Sequence, residues 1–331
     1  RPGASSDRRV GDKLYSKIID SSASLQNLKY PILGQTPQND FNCIYDDLNY
    51  NWKVIPDPSL VHFSISPHLN HRHIAKSAFT RYRFFDVFLK GKGTFPKRPE
   101  LSVNLKTANG IPIASVSPHD VGQVQNVQIF YSINPHSLTR FWRRAATAKH
   151  RNNWIAHLPI LSTDMPLFVM ANVEYPQPQK LIGSRHMGNS PDNFLVSTWE
   201  TIIDPPALKT AGVRAIDRPD RIIQRSFDDW GDWYQVRWSN HQHAVAGTGK
   251  LTDPKWRGPD GATLSIEVKD PKGGNFLMAF DVNNWGAYPG LPKSGYYCVK
   301  PLAKTDDWQT VTIQLSDLKP RGSGISDRPK S

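Results

Sequence analysis

Two loops hold the residue types best suited to chemistry. The first is Gly34-Gln35-Thr36-Pro37-Gln38-Asn39-Asp40, which follows the short apolar run Tyr30-Pro31-Ile32-Leu33. The second is Ser66-Pro67-His68-Leu69-Asn70-His71-Arg72-His73, which closes the alternating segment Val61-His62-Phe63-Ser64-Ile65. An acid in the loop after one strand and a His in the loop after the next are how a parallel sheet delivers the last two members of a Ser…Asp…His triad. The His takes the nucleophile's proton, and the acid fixes its tautomer and stabilises the imidazolium. Asp40 and His71 have the order and spacing for these roles. Asp46 and Asp47 are alternatives for the acid, although they read as part of a following helix. His68 and His73 are alternatives for the base. The nucleophile of such a triad lies N-terminal to both, in a Gly-x-Ser-x-Gly turn, and this sequence contains no such motif.

The same histidines allow a second chemistry. His68, His71 and His73 form a His-x-x-His-x-His cluster, and imidazole is a zinc ligand. The spacing differs from the helical His-Glu-x-x-His pattern of zinc hydrolases, and no carboxylate lies within the cluster. His241 and His243 make a weaker pair. No metal and no other cofactor is expected.

Tryptophans form a third constellation. Trp230, Trp233 and Trp238 alternate with acids and arginine, and Trp285 follows in a loop. Indole faces stack on the apolar faces of sugar rings, while neighbouring Asp, Asn and Arg bond the hydroxyls. The competing role for such residues is to fill a β-sandwich core. These four are the expected substrate-binding residues.

The chain that must position these groups has 331 residues, enough for two or three domains. Its 27 prolines and 10 tryptophans suit loop-rich β-domains. A net charge of +12 permits contact with acidic polymers. The cations are spread along the chain, however. The densest run, Arg140–Arg151, is broken by Trp142 and Ala145-Ala146 and reads as basic surface, so no specific nucleic-acid partner is expected. No apolar stretch is long enough to span a membrane. Cys43 and Cys298 are far apart and read as buried free thiols. The opening Arg1–Ser6 is not a signal peptide. The compartment stays open, with a secreted or periplasmic location expected if a signal precedes this sequence.

Periodicity divides the chain into three. Residues 1–95 alternate strand and helix: Asp12–Asp20 and Asp46–Asn51 read as short helices. Ala75–Leu89 reads as an amphipathic helix stopped by Gly91 and Gly93. Alternation of this kind implies a parallel sheet. Residues 96–179 carry strand-like runs at 101–106, 127–131, 154–158 and 166–175, which suit an immunoglobulin-like sandwich. Pro176–Gln179 reads as a linker. Residues 180–331 hold strands at 264–268, 276–282 and 308–315, for which a jelly-roll-like sandwich is expected. The fold class is therefore α/β plus all-β.

With Asn39-Asp40-Phe41-Asn42 and Pro67–His73 in hand, the chain resembles the C-terminal part of large bacterial α/β-hydrolases of the planctomycete type, related to dienelactone hydrolases and acetyl xylan esterases. The likeness extends through Phe84–Gly91, Ile129–Ser132, Thr139–Arg143, Ser162–Phe168 and Ala171–Val173. Lys250–Gly261 is similar to the opening of a trailing sandwich domain in that group. The resemblance implies that Asp40 is the triad acid and His71 the base, acting on carboxylic esters. It also implies that the nucleophile belongs to a missing N-terminal hydrolase half, so that the chain is inactive alone. The alternative is a non-catalytic protein that binds carbohydrate or an acidic polymer.

Overall fold

A computed structural model describes residues 24–40, 43–68, 73–180, 190–225, 230–235, 246–282 and 294–321. They form two units, one running to Arg257 and one from Gly258 onward. The described structure is mostly β-sheet, in several largely antiparallel sheets.

In the larger unit, β1 (Ile32–Pro37) and β2 (Val61–Ser66) run parallel over six register pairs. The connection between them contains helix α1 (Tyr45–Asn51). Gly34 is needed at this pairing, because a Cβ there would lie 2.7 Å from the Phe63 ring. Helix α2 (Ala75–Phe88) follows and buries Ser77, Ala78, Phe79, Thr80 and Phe84. It packs through hydroxyls as well as apolar groups: Ser64 Oγ donates to Thr80 Oγ1 at 2.9 Å, and Thr80 Oγ1 donates to the Leu195 carbonyl at 2.9 Å. As expected, the helix stops before Gly91, which has φ +65° and whose N–H donates to the Val87 carbonyl.

The chain then adds β3 (Glu100–Asn104), β4 (Ile113–Ser117), β5 (Asn126–Ser132), β6 (Arg143–Arg144), β7 (Thr147–His150), β8 (Asn153–His157) and β9 (Leu167–Pro176). After these come β10 (Asn193–Ser197), β11 (Thr201–Ile203) and the short helix α3 (Pro205–Thr210). One sheet has the order β1-β2-β10-β9-β5-β6, with β11 also on β9; a second has the order β3-β4-β8-β7. Strand β9 is buried on both faces. Its odd positions, Leu167 to Tyr175, enter the sandwich core between the sheets, with Val116, Ile129, Trp154 and Leu158. Phe168 and Met170 face the opposite way, toward Tyr45, Phe63, Ile65 and Trp142. Period-two alternation thus lets one strand serve two cores.

The expected boundaries at 95/96 and 179/180 fall inside this unit. Strand β10 pairs antiparallel with β9 over five residues and touches β2 through the single pair Ser197–Phe63. Polar side chains complete that junction. Ser197 Oγ accepts from the Ile65 N–H at 2.9 Å and donates to Asn172 Oδ1 at 2.6 Å, while Asn172 Nδ2 donates to the Ile65 carbonyl at 3.0 Å. The segment Pro176–Gln179, expected as a linker, begins with the last residue of β9 and leads back to the same sheet.

In the smaller unit, β12 (Leu264–Val268) pairs with β15 (Gln309–Ile313), and β13 (Gly274–Val282) pairs with β14 (Ser294–Leu302), which also holds β16 (Lys319–Arg321). Leu264, Ile266, Val268, Phe276 and Met278 alternate toward buried Cys298, Val311 and Ile313. Two sheets around one apolar core are the content of a β-sandwich. The expected helix at 12–20 lies outside the described residues.

Candidate active site

Both parallel strands send their following loops to the carboxyl end of the sheet. After β1, the Gln38 N–H continues the ladder to the Ser66 carbonyl at 3.0 Å, and Gln38 Nε2 reaches Met170 Sδ. Asn39 is a clamp: its Nδ2 donates to the carbonyls of Ser137 and Arg140, both at 2.9 Å. Asp40 is buried, and its Oδ1 accepts the Cys43 N–H at 3.2 Å. The acid loop is therefore fixed from both sides, by Asn39 before Asp40 and by the Cys43 N–H after it. Cys43, expected as a buried thiol, is instead exposed at this turn, whereas Cys298 is buried as expected; partial desolvation first, and the Asp40 and Asp47 charges after it, raise the Cys43 thiol above its ordinary pKa.

After β2, Ser66 Oγ accepts the Ile74 N–H at 3.2 Å and lies 3.4 Å from His73 Nδ1. His68 has φ +59° in the intervening turn. Its ring stacks on Phe141 at 4.8 Å and meets Phe130 edge-on at 5.9 Å, and its Nδ1 is shut off from solvent with no hydrogen-bond partner among the described residues. Desolvation, with help from the Lys250 and Arg144 charges, lowers its pKa to about 3. A general base works best when poised near the operating pH. His68 is thus a packed neutral ring, which weighs against it as the base. His71 lies outside the described residues, as do Trp238, Trp285, His241 and His243. Among the described residues no three His, Cys, Asp or Glu side chains gather into a metal set.

Behind the acid loop stands a buried charge network in which Arg140 spends all five N–H donors. Nη1 and Nη2 grip Asp46 at 2.7 and 2.9 Å, Nη1 also reaches Glu200 Oε1 at 3.2 Å, and Nε and Nη2 donate to the Asn134 and Pro135 carbonyls. The guanidinium lies 3.5 Å from the Phe168 ring centroid. Asp46 is therefore committed to Arg140. Two carboxylates share this one guanidinium. Burial first, and the Asp46 charge second, raise the Glu200 carboxyl to about 8. The Asn39 clamp ends on the Arg140 backbone, so this network underlies the acid loop directly.

A second buried arginine, Arg143, forks onto Asp253 and donates through Nη1 to Asp217 at 2.8 Å; Asp217 also accepts from Lys255. The run from Arg140, read as basic surface, thus opens with two enclosed cations. The available signal was the interleaving Arg140-Phe141-Trp142-Arg143: aromatic neighbours on a cationic run mark packing rather than solvation.

The expected sugar-binding tryptophans divide. Trp230 is 50% exposed, and its ring centroid lies 5.1 Å from that of partly buried Trp233. No protein-family model, curated protein or solved structure matches the chain.

Proposed function

We propose that this chain carries the acid and base of a serine-type carboxylic ester hydrolase, Asp40 and His71, with the nucleophile supplied by a segment outside this sequence. In this reading β1 and β2 are the end of an α/β-hydrolase sheet, β3–β9 an immunoglobulin-like sandwich and the smaller unit a jelly-roll-like one. One observation carries the reading. The parallel pair β1–β2 turns two successive loops to its carboxyl end, where α/β sheets build their sites, and the first loop holds a buried carboxylate that a dedicated Asn39 clamp keeps in place. Among the described residues the other edge of β1 is uncovered, so further strands can join there and bring a nucleophile turn toward Asp40. His71 then accepts the serine proton as the acyl–enzyme forms and returns it to the leaving alcohol, while Asp40 stabilises the imidazolium. A second reading, a carbohydrate-binding protein without catalysis, draws on exposed Trp230 and needs no nucleophile.

The test is hydrolysis of an aryl acetate. This chain alone is expected to give no turnover. In a polypeptide that carries a Gly-x-Ser-x-Gly turn ahead of β1, turnover is expected to fall by roughly 10⁴-fold in both His71→Ala and Asp40→Asn. Turnover by this chain alone that depends on His71, or turnover in the longer polypeptide that ignores both changes, contradicts the reading.

A further inference from the structure

We propose that Glu200 is a proton-controlled latch on the acid loop: Asp40 is held in place while the Glu200 carboxyl is neutral, and the turn behind it loosens once that carboxyl ionises. The latch stands on the charge network itself; its bearing on catalysis rests on the acid–base reading above.

Three elements meet at this point. Asp46 comes from the first turn of α1, Glu200 directly precedes β11, and Arg140 lies in the segment ahead of β6. Asp46 takes both terminal nitrogens of the guanidinium, at 2.7 and 2.9 Å, while Glu200 Oε1 has one longer contact at 3.2 Å. The other Glu200 oxygen, Oε2, is enclosed and has no hydrogen-bond partner among the described residues. An enclosed anionic oxygen without a donor is strongly unfavourable. The geometry therefore suits a neutral acid beside an ion pair better than a second anion.

The other groups that face Glu200 do not supply a countercharge. Tyr45, on α1, is buried, and its hydroxyl is also without a partner among the described residues. Burial first, and the Glu200 and Asp46 charges after it, keep that phenol protonated. Lys53, just past α1, is exposed and acts on Glu200 less than Arg140 does. Burial and the Asp46 charge thus keep Glu200 neutral until about pH 8.

One guanidinium cannot neutralise two buried carboxylates, so ionisation sets Glu200 against Asp46. Burial and anchoring decide which contact gives. The Glu200 side chain is fully enclosed, whereas that of Asp46 is 25% exposed and can turn to water. Nor can Glu200 withdraw, because the Asn49 side chain brackets its backbone. Asn49 Oδ1 accepts the Glu200 N–H at 3.0 Å, and Nδ2 donates to the Glu200 carbonyl at 3.2 Å. Ionisation therefore draws Arg140 away from Asp46. Both fastenings of the acid loop end beside this junction. The Cys43 N–H that holds Asp40 lies just before α1, and the Arg140 carbonyl accepts from Asn39. Above about pH 8 the carboxylate meant to orient His71 thus loses its foundation.

The test is backbone amide NMR of this chain between pH 6 and 9, in the parent, Glu200→Gln and Asp46→Asn. The Asp40 amide reports the acid loop, and the Leu48 amide, bonded to the Ile44 carbonyl, reports the first turn of α1. Both are expected to shift along one curve with its midpoint near pH 8, while the amide of buried Ala114 in β4 stays still. Glu200→Gln keeps the shape but cannot ionise, and is expected to abolish the curve. Asp46→Asn removes the charge that competes for Arg140, and is expected to move the midpoint down by about one pH unit. The proposal is overturned if both amides are flat through this range in the parent, if the curve survives in Glu200→Gln, or if Asp46→Asn leaves its midpoint unchanged. If the midpoints behave as expected and the aryl-acetate test fails, the latch stands and only its bearing on catalysis falls.

Discussion

Arg140→Ala is expected to destabilise the larger unit by about 3–5 kcal/mol, lowering its Tm by roughly 10 °C. The cause is what the substitution leaves behind. Asp46 and Glu200 would remain beside each other without their shared cation, and the Asn134 and Pro135 carbonyls would lose their donor. Removing one partner of a buried ion pair costs far more than the pair contributes net, because the stranded charge keeps its desolvation penalty. The effect should therefore shrink when Asp46→Asn and Glu200→Gln are added, since neutral amides need no countercharge. Urea unfolding of the single and triple variants measures this. A single variant within about 0.5 kcal/mol of the parent would mean that the network does not hold the acid loop's foundation.

The second large effect is in the pH dependence of stability. Glu200 has its carboxyl raised to about 8 in the folded chain, against the ordinary 4.5, so the folded state binds more protons across that interval. Stability from this group is fully present below about 4.5 and is lost as pH rises to about 8, with a slope of up to ~1.4 kcal/mol per pH unit. Two histidines, buried His62 and half-buried His68, act in the opposite sense. His62 is lowered to about 4 by desolvation and the Arg98 charge, and His68 to about 3. Each binds its proton more readily when unfolded, so the fold loses stability as pH falls from about 6.5. The expected profile peaks near pH 6.5 and declines on both sides. Glu200→Gln should flatten the alkaline limb alone, and His68→Gln should ease the acid limb. An alkaline limb unchanged in Glu200→Gln would place its cause elsewhere.

The elements around the site were legible where period and punctuation agree. Both parallel strands, the helix from Ala75 with its glycine stop, and the strand from Leu167 read directly from the chain. The continuity of the main sheet did not. Strand β10 is only five residues long, and its position between β2 and β9 depends on Ser197 and Asn172 reaching across a junction with one register pair. Nothing in its local pattern announces that. The charge network was hidden for a related reason: Arg140 meets partners 94 residues before it and 60 after it, and a cationic run looks alike whether solvated or enclosed. Asp40 could be singled out because an acid in the loop after a strand is a local pattern. Its Asn39 clamp could not, since the acceptors are backbone carbonyls in a distant segment.

The proposed pairing of Asp40 with His71 is read at the imidazole itself, by NMR titration of His71 in this chain and in Asp40→Asn. A neighbouring carboxylate favours the protonated ring. His71 is expected to titrate above the ordinary 6.5 and to fall by about one unit or more in Asp40→Asn. A His71 titration that ignores Asp40, or an Asp40→Asn shift that appears on His73 instead, would contradict it.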